Sequence, residues 1–264
     1  MENKLSEFLN SKVLLYNHPN FIADDPVCIP HKFKKQQDIE IAGFFAALLA
    51  WGNRKSIINS CNHLMNLMDN APYDFIMNKN ENGKDYIPLM KFVHRTFNAT
   101  DLLHLLDFLH FHYYKQSEKS LETAFSKWIQ PNDDNIEQGL NGFYHYVFNA
   151  EFFEDYPTRT QKHFASPFKK SACKRLNMYL RWMVRKDNCG VDFGIWKNIQ
   201  PSQLICPIDV HVSRVAKRFG LLQRTQTDWQ AAIELTQCLK QLDTHDPVKY
   251  DFALFGLGVV EKYI

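Results

Sequence analysis

Along most of this chain apolar residues recur at three- and four-residue spacing, the period of a helix with one buried face. Leu5, Phe8, Leu9 and Val13 mark an N-terminal helix that stops before Pro19. The run 41–51 is almost wholly apolar and reads as a helix buried on most sides, with Asp38 as its cap and Gly52-Asn53 closing it. Ile57, Cys61, Leu64, Met65 and Met68 give the next stripe, and a polar loop occupies 78–85. Further stripes lie at 102–109, at 121–128 before Pro131, and at 136–147. No Asn-Gly turn joins alternating segments, since the Asn82-Gly83 pair sits in the polar loop.

The last third is written most clearly. Leu176, Tyr179, Leu180 and Met183 repeat at i, i+3, i+4 and i+7. At about 100° per residue, Lys174, Arg181 and Arg185 fall within about 20° of one line opposite that stripe, a face expected to meet water or phosphate. Val212, Val215, Ala216 and Phe219 form a second stripe ended by Gly220. Thr227 to Gln230 has capping-box spacing for a helix through Leu242, and Asp246-Pro247 opens a final helix running toward Gly256 or Gly258. Many short helices on short loops predict an all-α fold.

At 264 residues, the chain suits one large domain or two interlocked lobes. It carries no apolar stretch of the roughly 20 residues needed to span a bilayer. The start lacks the charged-then-apolar layout of a signal peptide. Six scattered cysteines, none at C-x-x-C spacing, read as reduced thiols, so a cytoplasmic protein is expected, at most associated with a bacterial nucleoid. Charge changes the picture more. The chain is only +2, yet residues 157–186 hold nine lysines or arginines and no acid, so the remainder is net negative. A local basic field attracts a polyanion whatever the global charge.

Just downstream stands Pro-Ile-Asp-Val-His-Val-Ser-Arg-Val-Ala-Lys-Arg-Phe-Gly-Leu at 207–221. On spacing alone Asp209 is a helix N-cap worth about 1 kcal/mol. The whole segment, however, resembles the catalytic segment of the helix-hairpin-helix (HhH-GPD) DNA glycosylase superfamily. That resemblance implies a two-lobed helical fold with Asp209 at the mouth of a cleft between the lobes. A carboxylate there stabilises the oxocarbenium character that builds at C1′ and steers the attacking nucleophile. Bifunctional members carry a lysine at the start of the preceding helix, which attacks C1′ and forms a Schiff base. Lys174 occupies that position; Lys169 and Lys170 compete for it, and Lys174 also reads as a plain phosphate-touching cation. The 35-residue separation of Lys174 and Asp209 is closest to the layout of archaeal 8-oxoguanine glycosylases. Arg175 and Arg181 are neighbours expected to disfavour the ammonium form of an amine nucleophile.

The sequence departs from the superfamily pattern in two ways. Its glycine-rich hairpin is replaced by Ser-Pro-Phe-Lys-Lys-Ser at 166–171, so phosphate contact would fall to Lys169, Lys170 and Ser171 or to the helix N-terminus. No cysteine follows Cys238, which excludes an iron–sulfur cluster of the endonuclease III type. The histidines show no zinc-binding spacing, and no metal or other cofactor is expected.

Residues 39–54, ending in Trp51-Gly-Asn-Arg, are similar to the helix and turn that line the base pocket in these enzymes. Trp51, Asn53, Arg54, Trp182 and Asp192 are candidates for stacking on an extruded base or reading its edge, with core packing the competing reading for the tryptophans. Arg175, Arg181, Arg185, His211 and Arg214 are expected along the backbone. The segment 242–258 takes the place of the superfamily's closing helix and also resembles the signature of an uncharacterised bacterial family. The expected organisation is a helical barrel lobe over 36–200 and a second lobe of 1–35 with 201–264. The expected protein is a monomeric glycosylase excising a damaged base, an oxidised purine first among candidates, from duplex DNA, with lyase activity if Lys174 forms the Schiff base. Two rivals stay open: a non-catalytic nucleic-acid-binding module that keeps the fold, and a helical protein whose basic segment binds an acidic partner.

Overall fold

The computed structural model describes residues 2–78, 84–130, 132–149, 151–153 and 156–263. Pro131 and the Asn82-Gly83 pair, to which the sequence reading assigned a helix stop and a loop, lie outside the described residues. The described chain is mostly helical: α1 (Glu2–Tyr16), α2 (Gln36–Leu48), α3 (Arg54–Leu67), α4 (Pro72–Met77), α5 (Ala99–His110), α6 (Thr123–Ser126), α7 (Glu137–Val147), α8 (Lys174–Val184), α9 (Val210–Arg218), α10 (Trp229–Leu242) and α11 (Tyr250–Val259). Its one described sheet is a ribbon of β1 (Val93–His94) against β2 (Phe97–Asn98), antiparallel, with His94 opposite Phe97. The sequence reading missed it because two-residue strands carry no readable alternation. No described helix is long and apolar enough to cross a membrane.

Contacts divide the chain into two units. The first gathers Met1–Ala23, Ile129–Leu140 and Ala165–Ile264; the second holds Asp24–Trp128 and Asn141–Phe164. The expected boundary at residue 200 does not coincide with this division. Residues 165–200 join the N- and C-terminal helices, because α8 makes its buried ionic contacts with α11 and the turn before it.

In the second unit α2 is the axis, and every residue from Asp38 to Leu48 is buried. Such all-round burial explains why its sequence shows no polar face. Glu40 lies inside it with no exposure. Its carboxylate accepts from Tyr113 Oη (2.9 Å), Ser120 Oγ (2.5 Å), the Leu121 amide (3.0 Å) and Gln36 Nε2 (3.0 Å), which compensates the burial of a charge. Asp38 is not the cap of this helix: Lys35 holds that place, and the Asp38 carboxylate accepts from the Tyr73 amide at 2.9 Å. Asn53 opens α3 rather than closing α2, and its side chain accepts from the Ser56 amide at 3.2 Å.

In the first unit α1 packs on α11, and α11 packs on α9. Lys12 Nζ and Tyr16 Oη both donate to the Glu261 carboxylate, at 2.7 and 2.6 Å. Gly256 permits the close approach of α1: a Cβ built there would stand 2.2 Å from Tyr16 Cδ2, in the body of the ring. Gly256→Ala is therefore expected to cost about 1–3 kcal/mol through overpacking, despite alanine's better helix propensity. Urea unfolding checks it, and an unchanged midpoint would mean that α1 shifts freely.

Candidate active site

Lys174 and Asp209 each begin a helix of the first unit. Chain entry into α8 is set by a turn that uses two left-handed residues, Lys170 (φ 59°) and Cys173 (φ 51°). Glycine adopts this conformation without cost, and the glycine-free segment forms the turn nonetheless. The turn is pinned by an antiparallel bridge between Ser171 and Asp228 and by the Trp229 amide, which donates to the Lys170 carbonyl at 3.3 Å. Ser171 Oγ accepts from the Cys173 amide at 3.2 Å, so its hydroxyl serves the turn. Lys169 and Lys170 are exposed at its tip.

Asp209 caps α9 in extended conformation. Its Oδ1 accepts from the amides of His211 (2.9 Å) and Val212 (3.0 Å), which fixes the carboxylate plane. The other oxygen, Oδ2, lies 3.9 Å from Lys174 Nζ, and both side chains keep more than a quarter of their surface exposed. Residues 35 apart in sequence thus present an amine and a carboxylate to one another, with one carboxylate oxygen committed to the backbone and the other directed at the amine. Lys174 Nζ also lies 3.9 Å from Met178 Sδ. Burial pushes the adjacent Cys173 thiol up to about 12, and Cys206, fully enclosed, is raised well above its usual value. Neither thiol is available as a thiolate nucleophile near neutral pH.

Beneath this pair the structure corrects the expectation for the basic segment. Arg181 and Arg185 are 4% and 3% exposed, not on an outer face. Arg181 binds Asp192 (Nε to Oδ1, 3.3 Å) and, through Nη1, Asp251. Arg185 binds Asp187 (2.6 Å), Asp192 (3.1 Å) and Asp246 (2.8 Å). Two guanidiniums are thus enclosed by four carboxylates, a cluster that explains their burial and removes them as phosphate contacts. Asp192 reads no base edge: its side chain has no exposure and is held by both arginines. Trp182 is wholly buried, so no base can stack on it. Arg175 is half-buried, and desolvation lowers its guanidinium to about 10.

The remaining expected site residues divide. His211 and Arg214 are exposed on α9, close to Asp209 in sequence, and Arg214 Nη2 reaches the Gly258 carbonyl at 3.4 Å. Trp51, Asn53 and Arg54 belong to the second unit. There the Arg95 guanidinium covers the Trp51 ring, 5.0 Å from its centre, and the Asn53 side chain is used as the α3 cap. Among the described residues no three His, Cys, Asp or Glu side chains gather where they could hold a metal ion.

Asp251 is the site residue that sequence reading missed. Its signal was an acid inside the apolar run 248–258, which must find a partner when buried. Enclosure raises its carboxyl to about 6, with the charges of Arg181 and Lys174 opposing and that of Asp209 adding. An acid whose folded value is raised binds its proton more tightly when folded. Its stabilising contribution is therefore full below about pH 4 and is lost as pH rises through about 6. The stability of the wild type relative to Asp251→Asn is expected to fall by on the order of 2 kcal/mol between pH 4 and 7. Parallel denaturation series over that window test it, and a constant difference would contradict a proton held on Asp251.

No curated protein and no solved structure matches this chain. One family model does, over residues 25–260, and it spans α2 through α11, including both Lys174 and Asp209. Its description is "Protein of unknown function (DUF2400)", and the chain belongs to that family.

Proposed function

We propose that the protein is a DNA glycosylase of the helix-hairpin-helix kind, releasing a damaged base from duplex DNA through Asp209 and Lys174. The observation that carries this reading is the 3.9 Å approach of Lys174 Nζ to Asp209 Oδ2, at the starts of two helices. Cleavage of an N-glycosidic bond leaves positive charge on the sugar, and the Asp209 carboxylate stabilises it. The same oxygen takes a proton from the Lys174 ammonium, and the free amine attacks C1′. As the C1′–N bond to lysine forms, the bond to the base breaks. The base leaves with the electron pair and takes up the proton that Asp209 received from Lys174, which restores the carboxylate. Opening of the sugar ring then gives an imine between Lys174 and C1′. Capping of the His211 and Val212 amides by Asp209 suits the task, since a carboxylate fixed through Oδ1 needs no reorganisation as charge develops.

With Arg181 and Arg185 buried, backbone attraction falls to exposed cations, among them Lys169 and Lys170 on the turn. An oxidised purine is the first lesion to test. Oligonucleotide duplexes carrying single oxidised, deaminated or alkylated bases, incubated with the intact protein and resolved after alkali, provide the experiment. Strand scission at one class of lesion is the expected result. Binding without release from any lesion would move the assignment to a nucleic-acid-binding module that lacks the chemistry.

A further inference from the structure

The face of α9 that leads away from Asp209 carries a pocket with its own chemistry. Val210, Ser213, Arg214 and Lys217 stand at i, i+3, i+4 and i+7, so they share one face opposite the buried Val212–Val215–Ala216 stripe. With Thr227 from the loop before α10 they line a cavity of about 380 Å³. Three properties define what fits it. First, Arg214 and Lys217 are exposed cations that pair with no carboxylate among the described residues. Arg214 contacts the His211 ring and the Gly258 carbonyl, and Lys217 Nζ donates to the Thr225 carbonyl at 2.9 Å. The nearby Arg224, by contrast, is neutralised by Asp228 at 2.7 Å.

Second, Ser213 lines the cavity, and its hydroxyl makes no hydrogen bond to another described residue. A hydroxyl that faces the cavity with no protein partner is free to donate to an acceptor that enters it. Third, Val210 lies at the cavity with 71% of its surface exposed, offering an apolar contact beside the cations. Two cations, an unbonded hydroxyl and an apolar lip match a phosphate ester joined to a sugar better than they match a bare ion.

We propose that this pocket holds one backbone phosphate of a nucleic-acid strand whose reacting nucleotide lies at Asp209. The inference rests on the glycosylase reading and adds a phosphate contact separate from the turn at 167–171. Arg214 and Lys217 neutralise the phosphate, Ser213 donates to one of its oxygens, and Val210 packs on the adjoining sugar. Thr227 belongs to the loop that is bridged to the Lys169–Lys170 turn through Asp228 and Ser171, so the subsite is coupled mechanically to that turn.

The test is fluorescence anisotropy of an undamaged labelled duplex against salt concentration. Each phosphate contact contributes close to one unit to the slope of log affinity against log salt. Arg214→Gln with Lys217→Gln is expected to flatten the slope by about 1, the share of one phosphate, and Ser213→Ala to weaken binding with the slope unchanged. Lys217→Gln alone, at an exposed site, is expected to flatten it by a fraction of that unit, which covers any folding defect of the double variant. A wild-type slope in both charge variants would overturn the subsite while leaving the glycosylase reading intact, provided base release persists. Wild-type protein that binds no duplex at low salt would overturn both. Calorimetric titration with inorganic phosphate separates the sources: uptake lost in Ser213→Ala, with the duplex slope unaltered, would make the ligand a free phosphate and sink the strand assignment.

Discussion

Asp209→Asn is expected to slow base release from a lesion-bearing duplex by about 10²–10⁴-fold while changing affinity for that duplex by no more than about twofold. Asparagine is as good an N-cap as aspartate, and its Oδ1 still accepts from the amides of His211 and Val212. The helix therefore stays in place. What is lost is the charge on Oδ2, which faces Lys174 at 3.9 Å. Asp209→Ala separates the two roles, because it adds a loss of about 1 kcal/mol of helix capping to the same chemical defect. Single-turnover kinetics on the best lesion, beside urea unfolding, distinguish them. An Asn variant with wild-type turnover would make the carboxylate a cap and nothing more.

Arg181→Ala is expected to destabilise the protein by about 3–5 kcal/mol, the largest stability effect of any substitution considered. The side chain is 4% exposed and bonded to Asp192 and Asp251, and removing it leaves those carboxylates enclosed without it. Lys169→Ala and Lys170→Ala, at exposed turn positions, are expected to change stability by less than about 0.5 kcal/mol. Replacing both partners, Arg181→Met with Asp251→Leu, should recover much of the loss, since no charge is then stranded at either position. Urea midpoints settle the comparison. A small effect of Arg181→Ala would return this arginine to the surface role that the helical wheel suggested.

That contrast shows what the sequence could and could not convey. The helical stripes at 176–183 and 212–219 led to α8 and α9 because local periodicity encodes which face is apolar. The same arithmetic correctly grouped Arg181 and Arg185 on one side of α8, but periodicity says nothing about what covers that side. Their partners Asp246 and Asp251 lie some sixty to seventy residues on, beyond any local signal. Caps were missed for a related reason. Thr227 read as the N-cap of the helix through Leu242, but the cap is Asp228, whose side chain accepts from the Ala231 amide. Asp246 read as the cap of the last helix, but its carboxylate binds Arg185, and α11 starts only at Tyr250 after a short 3₁₀ turn. The pairing of Lys174 with Asp209 came from resemblance of the 207–221 segment alone, since two residues 35 apart in different helices share no periodic relation.

The central claim is that Lys174 forms a bond to the sugar. Borohydride reduction during turnover of a lesion duplex, followed by proteolysis and mass mapping, tests it most directly. The predicted result is one covalent adduct, on Lys174, absent from Lys174→Ala and strongly reduced in Asp209→Asn. An adduct that persists in Lys174→Ala, or that maps to Lys169 or Lys170, would contradict the account.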